Sequence, residues 1–243
     1  MRDLSVVLPV YNEARSLEES GKRLISALED CKLDFELIYV NDGSTDNSEA
    51  IAESLALADD RVRVVSYYPN MGKGAALLEG FALANAQIVA FFDGDLDIHP
   101  SCLPEMFKLV KRDECDVVVG SKIHRDSIVV YPRSRRLQSF FFRMLVRMLF
   151  SIQISDTQTG VKVFRREILE ATLPFVKTKG FAHDLELMVR IHKLDTKVME
   201  VPVIINFQFT SSVAVITGFR ALHDTWKIFL ADRLGTFSQH GNS

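Results

Sequence analysis

A chain of 243 residues with 47% hydrophobic content is long enough to bury one large α/β core. Its 29 Lys and Arg against 32 Asp and Glu leave a net charge of −3, which excludes the cationic excess of a general DNA or RNA binder. The three cysteines, Cys31, Cys102 and Cys115, are odd in number and form no CxxC pair, so they read as small apolar side chains in a reducing cytosol rather than as a disulfide scaffold or zinc knuckle.

In chain order, "LSVVLPV" comes first. It is short, contains Pro9, follows Asp3 and lacks a small-residue cleavage site, so it reads as a strand and not as an export signal. Leu17, Leu24, Ile25 and Leu28 then mark one face of a helix, and "FELIYV" is a second strand. Asp46 and Glu49 have the D-x-x-E spacing that resembles a capping box and predict a helix starting at Asp46. There follow "VRVVSY", a helix from about Gly74, "QIVAFF", another helix and "DVVVGS". Short Val, Ile and Phe strands alternating with helices predict an α/β fold with a mostly parallel sheet covered on both faces. In such sheets ligands bind beyond the carboxyl ends of the strands. Those ends carry "YNE", "NDGSTD" and "DGDLD".

The longest uncharged run, residues 201–219, is interrupted by Asn206, Gln208, Thr210, Ser211, Ser212 and Thr217. Val203, Ile205, Phe207 and Phe209 alternate with their neighbours within it, which predicts a half-buried strand and no membrane span. Near the C-terminus, Val215, Phe219, Leu222, Trp226 and Phe229 recur at helical spacing opposite Arg220, Asp224 and Lys227, predicting an amphipathic helix.

Asp93, Asp95 and Asp97 stand at alternate positions directly after an apolar strand. Clustered carboxylates repel unless a cation offsets them, and hard oxygen donors suit Mg²⁺ or Mn²⁺. An EF-hand is excluded, because Ile98 and Pro104 occupy the positions of its Gly and Glu. "NMGKGAA" lacks the Walker A spacing and no Ser or Thr follows Lys73, and no GxGxxG follows the first strand. A Mg²⁺ site completed by a nucleoside diphosphate remains.

Six segments, "VVLPVYNE", "VNDGSTD", "NMGKGAA", "DGDLD", "DTQTGVKVF" and "FAHDLELMVR", together resemble the family 2 glycosyltransferases with the GT-A fold, and among them the polyprenyl-phosphate (dolichol-phosphate mannose synthase-like) transferases, over residues 4–203. The resemblance implies a GT-A catalytic domain over residues 1–212, with a nucleotide-binding half near 1–100 and an acceptor half near 101–212, followed by a helix and tail over 213–243. It implies that Pro9, Tyr11 and Glu13 line the nucleotide pocket, that Asp42 contacts the base, and that Lys73, Asp93 and Lys179 belong to the nucleotide-sugar site. The Asp-x-Asp at Asp93 and Asp95 then meets ribose, diphosphate and metal, with Asp97 a third carboxylate where the branch often has Gln or Ser. Many relatives place a basic residue after the strand that "EVPVIINFQF" matches; Gln208 stands here instead, which shifts leaving-group binding toward the metal and Lys179.

A divalent cation on these aspartates would stabilise the departing diphosphate in place of an acid. Asp184 is either the base for a hydroxyl acceptor or a helix-face carboxylate that orients sugar or pairs with Arg190. A lipid phosphate acceptor is already an anion near neutral pH and needs no strong base. Cations for such a phosphate are dense between residues 122 and 147: Lys122, Arg125, Arg133, Arg135, Arg136, Arg143 and Arg147. By resemblance, "PRSRR" supplies the phosphate grip, with Arg135 or Arg136 at the matching position and Lys122 and Arg133 beside it. On a helical wheel Arg136, Arg143 and Arg147 share a narrow stripe, and Phe140, Phe141, Phe142, Met144, Leu145, Val146, Met148, Leu149 and Phe150 cover the rest. That pattern fits a core helix with ion-paired arginines or an interfacial helix touching lipid.

The resulting expectation is an inverting hexosyltransferase using Mg²⁺ or Mn²⁺, moving sugar from a nucleotide sugar of the GDP-mannose or UDP-glucose type to a polyprenyl phosphate. It would sit peripherally on the cytosolic face of a membrane, alone, as a homo-oligomer or with a membrane subunit. Rival readings are transfer to a saccharide or other hydroxyl acceptor with Asp184 as base, and a nucleotide-sugar-binding protein without turnover.

Overall fold

The computed structural model describes residues 2–94, 97–130, 133–152, 154, 156–180, 182–206 and 215–234; for 133–138, 206 and 215–221 it describes backbone only. The strands are β1 (Leu4–Val10), β2 (Phe35–Asp42), β3 (Val62–Tyr67), β4 (Ile88–Phe92), β5 (Val117–Ser121), β6 (Ile128–Val130), β7 (Val161–Arg165), β8 (Val198–Pro202) and β9 (Ile204–Asn206). The helices are α1 (Leu17–Glu29), α2 (Ser48–Ala58), α3 (Lys73–Leu83), α4 (Leu103–Lys111), α5 (Arg133–Phe150), α6 (Arg166–Thr172), α7 (His183–His192) and α8 (Val215–Arg233).

Seven strands form one sheet in the order β3-β2-β1-β4-β7-β5-β8, and β6 pairs with β9 in a separate two-stranded ribbon. The expected alternation of strand and helix is present, and so is burial on both faces. Along β1, Val6 and Leu8 pack toward α1 and α4 while Val7 packs toward α3, so successive residues feed two different cores. The sheet is parallel except at β7, which runs antiparallel to both β4 and β5. An antiparallel strand starts at the edge where its parallel neighbours end. Residues 156–160, which lead into β7, therefore join the loops after β1, β2 and β4.

Two local expectations need correction. The helix does not start at Asp46: α2 begins at Ser48, and the Asp46 carboxylate accepts hydrogen bonds from the Ser48 amide and hydroxyl and from the Ala14 amide. Glu49 does not close a capping box, because its carboxylate is taken by the Tyr68 hydroxyl at 2.6 Å. The C-terminal helix expected from the sequence is present as α8, and it packs through Thr225 and Ile228, with Phe229 meeting Phe150 edge-on at 6.1 Å, while Leu222 and Trp226 stay exposed. Val203 and Ile205 are buried as expected, while Phe207 and Phe209 lie outside the described residues.

Phe164 is fully buried on β7 and packs against Phe91 of β4 with ring centroids 5.2 Å apart. Phe164→Ala would leave a cavity between the sheet and α6–α7, and urea unfolding should show a loss of about 3–5 kcal/mol.

Candidate active site

The loops at the carboxyl edge of the sheet are clamped to one another. Asn12, at φ 57°, holds a left-handed turn that Asn tolerates; its amide donates to Ser44 Oγ and its Oδ1 accepts from the Thr45 amide. The Glu13 amide donates to Ser48 Oγ at 2.8 Å. Pro9, one residue before the end of β1, is half-buried, and Tyr11 stands exposed beyond the strand. Asp42, buried at the end of β2, accepts hydrogen bonds from Asn70 Nδ2 and from the amides of Met71 and Gly72. Its carboxylate thus fastens the "NMGK" turn to the sheet. Gly72 has φ 93°, and a Cβ there would lie 2.5 Å from the Lys179 carbonyl oxygen, so only glycine fits. The same carbonyl accepts the Gly74 amide at 3.2 Å, closing the start of α3 with chain rather than leaving it open to an anion. The Lys179 side chain itself is exposed.

Asp93 follows β4, and its amide donates to the Gly160 carbonyl at 2.8 Å. A Cβ on Gly160 would come within 2.1 Å of Asp93 Oδ2, so the absence of a side chain at Gly160 is what lets Asp93 reach the edge. There its Oδ1 meets Lys73 Nζ at 2.7 Å. Lys73 also reaches Asp184 Oδ2 at 3.0 Å, and Asp184 Oδ1 meets Lys162 Nζ at 2.6 Å. Lys162 donates a second bond to the Thr159 carbonyl at 2.7 Å. The side chains of Lys162 and Asp184 are 1% and 9% exposed, whereas those of Lys73 and Asp93 are 30% and 32% exposed. Two cations and two anions thus form a row with a buried inner pair and an outer pair open to the site.

The row gives Asp184 its ion-pair partners, Lys73 and Lys162. Asp184 does not pair with Arg190, which bonds to Glu186 one helical turn away at 2.8 Å. Burial alone would raise the Asp184 pKa, but Lys162 and Lys73 outweigh it and hold the carboxyl well below its ordinary range. Burial likewise works against charge on Lys73, and Asp184 with Asp93 overcomes it, holding that pKa above the usual lysine value. Glu13 moves the other way: burial raises its pKa, and the negative charges of Asp93, Asp46 and Asp97 add to the rise. Carboxylate oxygens of Glu13, Asp93 and Asp97 thus lie near enough to influence one another, and oxygen donors are the type a hard divalent cation takes. Among the described residues no three acidic, His or Cys side chains are grouped to hold a metal; Asp95 lies outside those residues.

The structure thus brings Glu13, Lys73, Asp93, Asp97 and Asp184 to one edge. Lys122 follows β5, its amide bonded to Asp156 Oδ2 at 3.2 Å. Arg133, Arg135 and Arg136 lie in the first turn of α5, and their side chains are outside the description. Lys162 went unnoticed in the sequence. Its signal is a single lysine within the apolar strand "VKVF", on the same face as the buried Phe164.

A doubly covered, mostly parallel sheet with Asp93 at its carboxyl edge and one reversed strand is the GT-A fold. The chain belongs to glycosyl transferase family 2, whose model matches residues 5–173. It is 35% identical over 203 residues to glycosyltransferase AglD of Haloferax volcanii, covering 83% of this chain and 32% of that protein. Dolichyl-phosphate beta-glucosyltransferase ALG5C of Trichomonas vaginalis is 29% identical, with 81% of this chain and 62% of that protein covered. Dodecaprenyl-phosphate galacturonate synthase of Rhizobium johnstonii is 30% identical, with 74% and 52% covered. The chain therefore spans less than two thirds of the length of each of these relatives. In fold it is similar to glucosyl-3-phosphoglycerate synthase of Mycobacterium tuberculosis crystallised with Mn²⁺, UDP and phosphoglyceric acid, with a TM-score of 0.72 at 22% identity, covering 100% of this chain and 80% of that one.

Removing the Asp184 charge would leave two ammonium groups facing one another with one fewer counter-ion. Asp184→Asn should therefore cost about 3–5 kcal/mol in denaturant unfolding at pH 7. A carboxyl whose folded pKa is depressed stabilises the fold above its unfolded value of about 3.9, so the difference between wild type and variant should shrink as pH falls below about 4.

Proposed function

We propose that the chain is an inverting, metal-dependent glycosyltransferase that moves a hexose from a nucleotide sugar to a polyprenyl phosphate at the cytosolic face of a membrane. The observation that carries the acceptor is α5. Arg143 is part-exposed and Arg147 exposed, and among the described residues no carboxylate pairs with either. Phe140, Phe141, Met144 and Met148 of the same helix are also exposed. Helix α8, which touches α5 through Phe229 and Phe150, leaves Leu222, Trp226 and Leu230 in solvent, and Leu234 just beyond it is exposed as well. Cations set among uncovered apolar side chains suit an anionic headgroup attached to a hydrocarbon chain. Among the described residues no helix is long and apolar enough to cross a membrane. The names of two relatives, a dolichyl-phosphate glucosyltransferase and a dodecaprenyl-phosphate galacturonate synthase, point to the same acceptor class.

In this reading Asp93, Asp95 and Asp97 would hold a Mg²⁺ or Mn²⁺ ion, which when bound neutralises charge developing on the leaving diphosphate. Lys73, partly exposed beside Asp93, supplies a fixed ammonium to the same diphosphate. Pro9, Tyr11 and Glu13 form the wall for the nucleoside, and Asp42 holds the turn that carries Lys73 in place. Arg135 or Arg136, with Arg133 and Lys122, grips the acceptor phosphate, whose second pKa of about 6 makes it a nucleophile without a base. Asp184, tied to two lysines and held ionised, is a poor proton acceptor. That weighs against the rival in which Asp184 activates a hydroxyl acceptor.

A panel of nucleotide sugars incubated with a prenyl phosphate and read by mass spectrometry should yield one prenyl-phosphate hexose. Transfer to phosphoglycerate or a free sugar, with none to prenyl phosphate, would replace the acceptor. EDTA should abolish transfer and added Mg²⁺ or Mn²⁺ restore it, while Asp95→Asn should lower turnover by at least about a hundredfold. Because Arg binds phosphate in a planar bidentate fork that Lys lacks, Arg135→Lys or Arg136→Lys should impair transfer and spare donor binding. Met148→Glu and Trp226→Glu should each weaken sedimentation with anionic liposomes at low salt, as expected for contacts within the headgroup region.

A further inference from the structure

The two lysines that share Asp184 are not equivalent. Lys73 reaches the open edge of the site, while Lys162 is sealed behind it, 1% exposed on β7. Burying an ammonium is costly, and among the described residues Lys162 meets two hydrogen-bond partners in return, Asp184 Oδ1 and the Thr159 carbonyl. A wholly apolar replacement of such a buried ion pair is often neutral or stabilising, so the pair has little value as a simple stabiliser. Its geometric consequence lies on the far side of Asp184. One carboxylate oxygen is engaged by Lys162 and the other by Lys73, so the pull of Asp184 on Lys73 is divided, and Lys73 divides its own contacts between Asp184 and Asp93.

We propose that Lys162 is a positioning residue for the donor site: by occupying one oxygen of Asp184 it keeps the Lys73 ammonium shared with the open edge, where it meets the diphosphate of the donor. Without Lys162, Asp184 keeps its charge with a single ammonium in reach and draws Lys73 inward. The assignment rests on the nucleotide-sugar reading given above and extends it to a residue that touches neither donor nor acceptor.

The test is calorimetry in the presence of Mn²⁺, comparing a nucleoside diphosphate with the corresponding nucleoside, UDP with uridine and GDP with guanosine. No acceptor is needed. Lys162→Met should lower diphosphate affinity at least tenfold and leave nucleoside affinity within about twofold, because Lys73 contacts only the phosphates in this scheme. Adding Asp184→Asn to Lys162→Met removes the inward pull and should bring diphosphate affinity back to within about threefold of wild type. A purely structural lysine would weaken both ligands together or neither. If Lys162→Met does not fold, Lys162→Gln, which keeps hydrogen-bond donors without the charge, should show the same selective loss. Equal diphosphate affinity in wild type and a folded Lys162 variant would overturn the assignment, as would a double variant that binds no better than the single one. A folded wild-type protein that binds neither diphosphate overturns the donor reading itself, and the positioning role with it.

Discussion

One buried carboxylate shared between two ammonium groups is the constraint around which this site is arranged. Asp184 cannot give up its charge without leaving Lys162 unpaired in the core, and Lys162 cannot give up its charge without redistributing the pull on Lys73. At close range in a dry interior such interactions are strong, but so is the cost of removing each group from water. The balance is struck by exposing the outer half of the row. Lys73 and Asp93 remain accessible to anything that enters with charge of its own, and the inner pair supplies a rigid reference behind them. Under the proposed function, a diphosphate and a metal would meet at this outer half, against cations already held in place by the inner pair.

The sheet order is what assembles the row. Lys162 comes from β7, Asp93 from the end of β4, Lys73 from the start of α3 and Asp184 from the first turn of α7. Were β7 parallel, Lys162 would still lie mid-sheet, but Gly160 would sit at the opposite edge and Asp93 would have nothing to pack on. Reversing one strand brings the 156–160 segment against Asp93, and the hydrogen bond from the Asp93 amide to the Gly160 carbonyl fixes the join.

Much of this architecture was legible in residues alone. Strands rich in Val, Ile and Phe announced a sheet covered on both sides, and the polar clusters "YNE", "NDGSTD" and "DGDLD" marked its functional edge. What was not legible falls into two kinds. Strand direction leaves no trace in a short apolar segment, so the reversal of β7 was invisible. Partner choice is also not local: pairing of Asp184 with Arg190 was one of several readings the sequence left open, yet Arg190 finds Glu186 on its own helix and Asp184 finds lysines 111 and 22 residues away. Nor could periodicity say what α8 packs on: Ile228 is buried and Phe229 meets Phe150, a contact set by the position of α5.

The closeness of Gly72 to the Lys179 carbonyl has a consequence for anyone who would redesign this protein. The 178–180 segment and the turn before α3 are joined by the Gly74 amide bond and by a contact that tolerates no added methyl group. They cannot be exchanged one at a time. A chimera that imports a donor loop from a relative must bring both segments together, or the imported piece will meet a neighbour shaped for something else and displace the lysine it was meant to preserve.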